Sequence, residues 1–208
     1  MIGWRGGLLV CLALSVCGCW RTFLPAPPPV KIDSNTRFDS TSRDAIVVFG
    51  FHGQFNVQII DGVDDGVNWV CSAGPGLIYR VRADNGFVAV RLPARTGKNK
   101  YAIGRLDAVG GLANTGPQTR WFTASFNSQP AKPIWVFNAE PGKVNYVGTL
   151  GVTWAGDTPQ MEEDSAVTPQ QADDFVTQTF PNIRDHVVTR PMQWIYTGLD
   201  CTGHLFVD

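Results

Sequence analysis

Short apolar segments that alternate with polar residues and end in turn signals recur along this chain, and they restrict it to strands joined by tight turns. The clearest case surrounds Asn85-Gly86, which lies between two alternating segments and reads as a two-residue type I′ hairpin turn. In that register Asp84 faces Phe87, Arg82 faces Ala89, Arg80 faces Arg91 and Tyr79 faces Leu92. One face then carries Tyr79, Val81, Ala83, Val88, Val90 and Leu92, which makes it a core face. The other carries Arg80, Arg82 and Arg91, with Arg80 and Arg91 directly opposed. Like charges so placed are destabilising unless carboxylates, solvent or a bound anion relieve them. These arginines are the candidate anion-binding residues, and a solvated outer face is the alternative.

The same grammar extends in both directions. Ile46 to Phe49 with Phe51 form a run of strand length, and Phe55, Val57 and Ile59 alternate with Asn56 and Gln58. Asp61-Gly62 and Asp65-Gly66 mark turns. Further strands are expected at Lys100–Leu106, Thr119–Phe126, Pro133–Asn138 and Val144–Leu150. Gly110-Gly111 and Gly116-Pro117 belong to a longer loop, and Pro141-Gly142 to a tight turn. Thr168, Pro169 and Gln171 combine an N-cap, a proline in the first turn and a capping-box partner, and Ala172, Phe175, Val176 and Phe180 space as one buried helical stripe. Terminal strands around Ile183–Val188 and His204–Val207 complete the sheet, with Trp194, Ile195 and Tyr196 expected in the core. With 22 glycines, 14 prolines and 17% charged residues, the fold class is mainly β. We expect an antiparallel β-sandwich or barrel-like domain with one C-terminal α-helix, spanning residues 45–208.

Familiar catalytic and metal patterns fail on spacing. Asp61, Asp64, Asp65 and Gly66 miss the third ligand position of a calcium loop, and Ser72 stands where its final Glu is required, so a polar turn is the better reading. His52, His186 and His204 lie far apart and imply no metal set. Asp185 and His186 are adjacent, which points them to opposite faces of a strand. Gly97-Lys98 lacks the rest of a phosphate loop, and no Gly-x-Ser-x-Gly elbow occurs. Glu162, Glu163 and Asp164 read as a solvated acidic loop. No cofactor is implied.

The N-terminus is more specific. Arg5 precedes an apolar run from Leu8 to Leu14 that has signal-peptide length and falls short of the ~20 residues needed to span a bilayer. It closes on Val16-Cys17-Gly18-Cys19. These positions resemble the signal of bacterial lipoproteins, in which an aliphatic residue, a small one and Gly or Ala precede the lipidated cysteine; Val16 and Cys17 depart from its commonest residues. The resemblance implies a signal peptide over residues 1–18 and Cys19 as the lipidation site, its acyl chains (palmitate or similar) anchoring the protein in the membrane. An ordinary signal peptide or an uncleaved anchor is the alternative. Trp20 rather than Asp after Cys19 implies, in that family, a cell outer membrane location facing the periplasm or the surface. Leu24-Pro25-Ala26-Pro27-Pro28-Pro29 then reads as an extended spacer, and residues 19–44 as a tether. The stretch Glu140–Leu150 is similar to a turn-and-strand pattern of envelope lipoproteins to which no activity is attached.

Removing 18 residues leaves about 190 of the 208, enough for one domain. Cys11 and Cys17 leave with the signal and Cys19 takes the lipid, so Cys71 and Cys201 remain as a disulfide candidate in an oxidising compartment, or as two free thiols. The net charge of −1 provides no basic excess for nucleic acid. The resulting expectation is a lipid-anchored envelope protein with a non-catalytic binding, accessory or structural role, partnered by another envelope protein or a glycan. Two alternatives differ in class. One is an envelope hydrolase using His186 or His204 as base; the other is an anion or headgroup binder acting through Arg80, Arg82 and Arg91.

Overall fold

In the computed structural model, which describes residues 30–71, 78–83, 86–108, 133–155, 158–183 and 187–196, the turn-punctuated pattern becomes two packed sheets and one helix. The first half of the chain supplies β1 (Val30–Lys31), β2 (Asp44–Phe51), β3 (Phe55–Asp64), β4 (Trp69–Cys71), β5 (Ile78–Ala83) and β6 (Gly86–Pro93). There follow β7 (Asn99–Ala108), β8 (Pro133–Phe137), β9 (Val144–Ala155) and β10 (Thr158–Glu163), the helix α1 (Pro169–Thr179), β11 (Val187–Thr189) and β12 (Gln193–Tyr196). The first sheet runs β1-β6-β2-β9-β10, with β11 also on β9. The second runs β12-β8-β7-β3-β4, with β5 also on β3.

The sandwich core lies between the sheets. Val47, Phe49 and Phe51 of β2 meet Val57 and Ile59 of β3, Tyr101 and Ile103 of β7, and Trp135 and Phe137 of β8. A second cluster forms on the outer side of the first sheet, where Ala172, Val176 and Phe180 of the helical segment pack on Ile46, Val48, Val144 and Tyr146. This explains why Ile46 to Phe49 run without a polar break: β2 is covered on both faces. The pairing of β2 is partly parallel, to β9, and β11 also pairs parallel with β9. Strands are otherwise antiparallel, so the sandwich is mixed rather than wholly antiparallel.

Among the described residues, β5 and β6 do not pair with each other as the Asn85-Gly86 hairpin requires. β5 pairs with β3, setting Arg80 opposite Gln58 and Arg82 opposite Asn56. β6 pairs with β2 and β1, setting Arg91 opposite Ile46 and Val30. The chain therefore passes from one sheet to the other between β5 and β6, and Gly86 takes φ +112° at the start of β6. Alternation had identified the core faces correctly, because Tyr79, Val81, Val90 and Leu92 all join the inter-sheet core. Two strands facing each other across a sandwich show the same alternation as two strands paired in one sheet, so periodicity names the buried face but not the neighbour.

The helix follows its local signals. The Thr168 side chain accepts from the Gln171 N–H, the Gln171 side chain accepts from the Thr168 N–H, and Pro169 occupies the first turn. The Asp64–Asn68 turn joins β3 to β4, with the Asp65 carboxylate accepting from the Val67 and Asn68 N–H groups. Residues 30–43 differ from the tether reading. Ile32 and Phe38 are buried in the cluster beneath the helix, and β1 pairs with β6, so the packed part of the chain includes residues 30–43, which precede Ala45. Glu162 and Glu163 likewise end a strand, β10, instead of lying in a loop.

Candidate functional site

β12 lies at one end of the second sheet and pairs with β8, Trp194 standing opposite Trp135 and Tyr196 opposite Pro133. Met192 and Trp135 belong to the inter-sheet core, so alternation puts Trp194 and Tyr196 on the inner side of β12. The opposing sheet does not cover them. Trp194 remains 49% and Tyr196 57% exposed, and with Val67 they are the exposed large hydrophobic residues among those described. Val67 is in the turn leading to β4, at the opposite edge of the second sheet. The Trp194 ring packs on that of Trp135 with centroids 4.2 Å apart at 42°. Trp135 is buried, and its indole Nε1–H has no hydrogen-bond partner. The sequence pattern places Trp194, Ile195 and Tyr196 in the core; a short edge strand overhanging the opposing sheet explains why the two aromatic rings are half in water, while Ile195 packs on the outer cluster of the second sheet.

A polar cluster occupies the opposite kind of place, inside the core. Asp61 of β3 faces inward beside Tyr101, its register partner, and takes a two-pronged hydrogen bond from Arg95, Nε and Nη2 each 2.9 Å from a carboxylate oxygen. The Arg95 guanidinium also lies 5.8 Å from the Tyr101 ring centre. The Tyr101 hydroxyl donates to the Pro93 carbonyl at 2.8 Å, and Tyr79 packs edge-on against Tyr101. Burial raises the pKa of both phenols, and the hydrogen bonds that Arg95 donates to Asp61 hold its guanidinium in the charged form. On the outer face of the same sheet, Lys100 donates to Asp64 and Gln193. The Asp64 carboxyl is held below its ordinary value, first by Lys100 and then by the Gly66 N–H. Charges in both groups are matched within the fold, which is the arrangement of structural joints.

The predicted arginine trio is divided by the topology. Arg91 lies on the first sheet, where its Nε donates to Asp44 at 2.8 Å. Arg80 and Arg82 lie on the second, at register positions outside the inter-sheet core. There the register brings in a residue that the sequence does not announce: Arg105 of β7 flanks Gln58 from the side opposite Arg80, and Asp107 flanks Asn56 opposite Arg82. Finding Arg105 from sequence would have required knowing that β3 is the central strand between β5 and β7.

His52, in the turn between β2 and β3, meets the carboxylate of Asp164, which follows β10, through Nε2. The supposedly solvated acidic run thus supplies one half of a pair. His186 and His204 lie outside the described residues, as do Cys19, Cys201, Asp185 and the expected strands at Thr119–Phe126 and His204–Val207; Cys71 is in β4. Among the described residues no group of three His, Cys, Asp or Glu side chains is placed to hold a metal ion, and no helix is long and apolar enough to cross a membrane. Compared with family models, curated proteins and solved structures, the chain matches none.

Proposed function

We propose that this is a lipid-anchored envelope protein whose β domain binds a partner near the membrane and does not act as a catalyst. The observation that carries the binding role is the exposed pair Trp194 and Tyr196 on the edge strand β12. Leaving two large rings half in water forgoes burial free energy of about 25 cal/mol per Å² of apolar surface, and such contiguous aromatic exposure marks contact surfaces. The anchor rests on Val16-Cys17-Gly18-Cys19 and the proline-rich stretch after it. Two experiments test the two halves. Mild crosslinking in cells followed by purification captures a specific partner that the Trp194→Ala/Tyr196→Ala variant loses; capture of the same partner by both proteins overturns the surface. Metabolic labelling with a clickable fatty acid marks the parent and not Cys19→Ser; label retained in the variant overturns the anchor.

A second reading is favoured by strand register alone. Arg80 and Arg105 are the register partners of one residue, Gln58, in the second sheet, and Arg82 stands one pair further along. An anion or lipid headgroup bound there depends on Arg80, Arg82 and Arg105. Replacing Arg80 and Arg105 by Gln then weakens binding to phosphatidylglycerol vesicles, whereas Arg91→Gln leaves it unchanged; equal effects of both changes rule this site out.

A further inference from the structure

We infer that the β12 edge takes a glycan, with Trp194 and Tyr196 as stacking platforms; this rests on the binding role proposed above and names its ligand class. The two rings occupy alternate positions on one side of a strand, about 6.6 Å apart along the chain. They form a short aromatic ledge. A sugar ring has an apolar C–H face that packs on an aromatic plane and a rim of hydroxyls that seek polar partners. Trp and Tyr meet both demands, since each joins a broad apolar body to a polar tip.

The second observation comes from beneath the ledge. The ring on which Trp194 rests belongs to Trp135, which is 3% exposed, and its Nε1–H lacks an acceptor. A buried donor without a partner is uncommon in a folded protein and asks for an explanation. A hydroxyl-bearing ligand carries acceptors of the kind that this donor lacks. An aliphatic ligand or a lipid tail does not.

Two other occupants fit less well. A membrane-docking patch combines exposed apolar groups with flanking cations that attract anionic lipid. Among the described residues, the cations next to β12 in the sheet or in the sequence are engaged: Lys100 is buried and donates to Asp64 and Gln193, and Arg190 donates to Glu140. A protein partner buries roughly 800 Å² on each side, and β12 is four residues long. A ledge of two rings matches one or two sugar units.

Isothermal titration of the full-length protein in detergent with a soluble N-acetylglucosamine oligomer and with a cello-oligosaccharide tests the inference. Binding to at least one of them is expected, weakened tenfold or more in Trp194→Ala and in Tyr196→Ala and unchanged in Val67→Ala. Urea midpoints of the variants separate lost binding from lost folding, and Tyr196→Phe, which keeps the stacking plane, retains most of the affinity. No binding to either glycan, or equal binding by parent and both alanine variants, overturns the inference. So does binding to phosphatidylglycerol vesicles, and not to glycans, that the alanine variants lose. If the crosslinked partner is a protein lost on the same substitutions while neither oligosaccharide binds, the glycan inference falls and the binding role stands; if neither responds, both fall.

Discussion

Asp61 is a charge turned into an apolar core, and its two-pronged pairing with Arg95 is what makes that position tenable. Its side chain is 5% exposed and that of Arg95 26%. Removing one partner of such a pair strands the other, which costs far more than loss of a surface pair. Asp61→Asn is expected to lower unfolding free energy by about 2–3 kcal/mol. Arg91→Gln, which breaks the more exposed pair with Asp44, is expected to cost less than about 1 kcal/mol. Urea unfolding of the two variants side by side checks the ratio. The phenols nearby set an alkaline limit. Burial raises the pKa values of Tyr79, Tyr101 and Tyr146 above that of a free phenol, so the neutral forms belong to the folded state. Stability from these groups is fully present below the unfolded tyrosine value of about 10 and falls as pH rises past it. Absorbance at 295 nm should therefore show these three ionising together with unfolding, and noncooperative ionisation of all three in folded protein would contradict this.

At the scale of elements, the turn before β9 and the start of α1 are fixed by few groups. Asn145 is fully buried; its Nδ2 donates to the carbonyls of Ile46, Glu140 and Lys143, and its Oδ1 accepts from the Glu140 N–H. It holds the Pro141-Gly142 turn against β2. Gly142 has φ +64°, and a Cβ there would lie 2.2 Å from the Ser40 carbonyl oxygen; Gly97 has φ +63° with open space around it. Gly97→Ala is expected to cost about 1 kcal/mol from the left-handed conformation alone. Gly142→Ala should cost clearly more, because backbone must also move, and thermal unfolding distinguishes them. Thr168→Ala removes the side-chain cap and should cost about 1 kcal/mol, read as a shift in denaturation midpoint. The helix and its cap were legible because capping is local chemistry. The β5–β6 connection was not, because the choice between pairing and crossing is made by β3 and β2, strands remote in the sequence, with Ile60 paired to Ile78 and Asp44 to Pro93.

For the whole molecule, the defining contacts are remote in sequence. β2 pairs with β6 and with β9, so residues near 46 meet residues near 91 and 144. Closing such loops precedes any gain from their contacts, and sheets of this kind fold in milliseconds to seconds or slower. Stopped-flow refolding should give no microsecond phase that accounts for the full native signal. The same remoteness limits what alternation can say of function. It located both core faces and most strands, yet missed that Trp194 and Tyr196 overhang the sandwich and that Arg105, rather than Arg91, shares a register row with Arg80.

The small strand β1 carries a consequence for distance. Val30 and Lys31 are stitched to Arg91 and Val90 of β6, which fixes one end of the leader that runs from Cys19. If that cysteine carries the lipid as proposed, eleven links separate it, at residue 19, from residue 30. Fully stretched at ~3.6 Å each they reach about 40 Å. The protein is then on a short leash, its working volume a shell one domain deep above the bilayer, and anything it grips must be found within that shell.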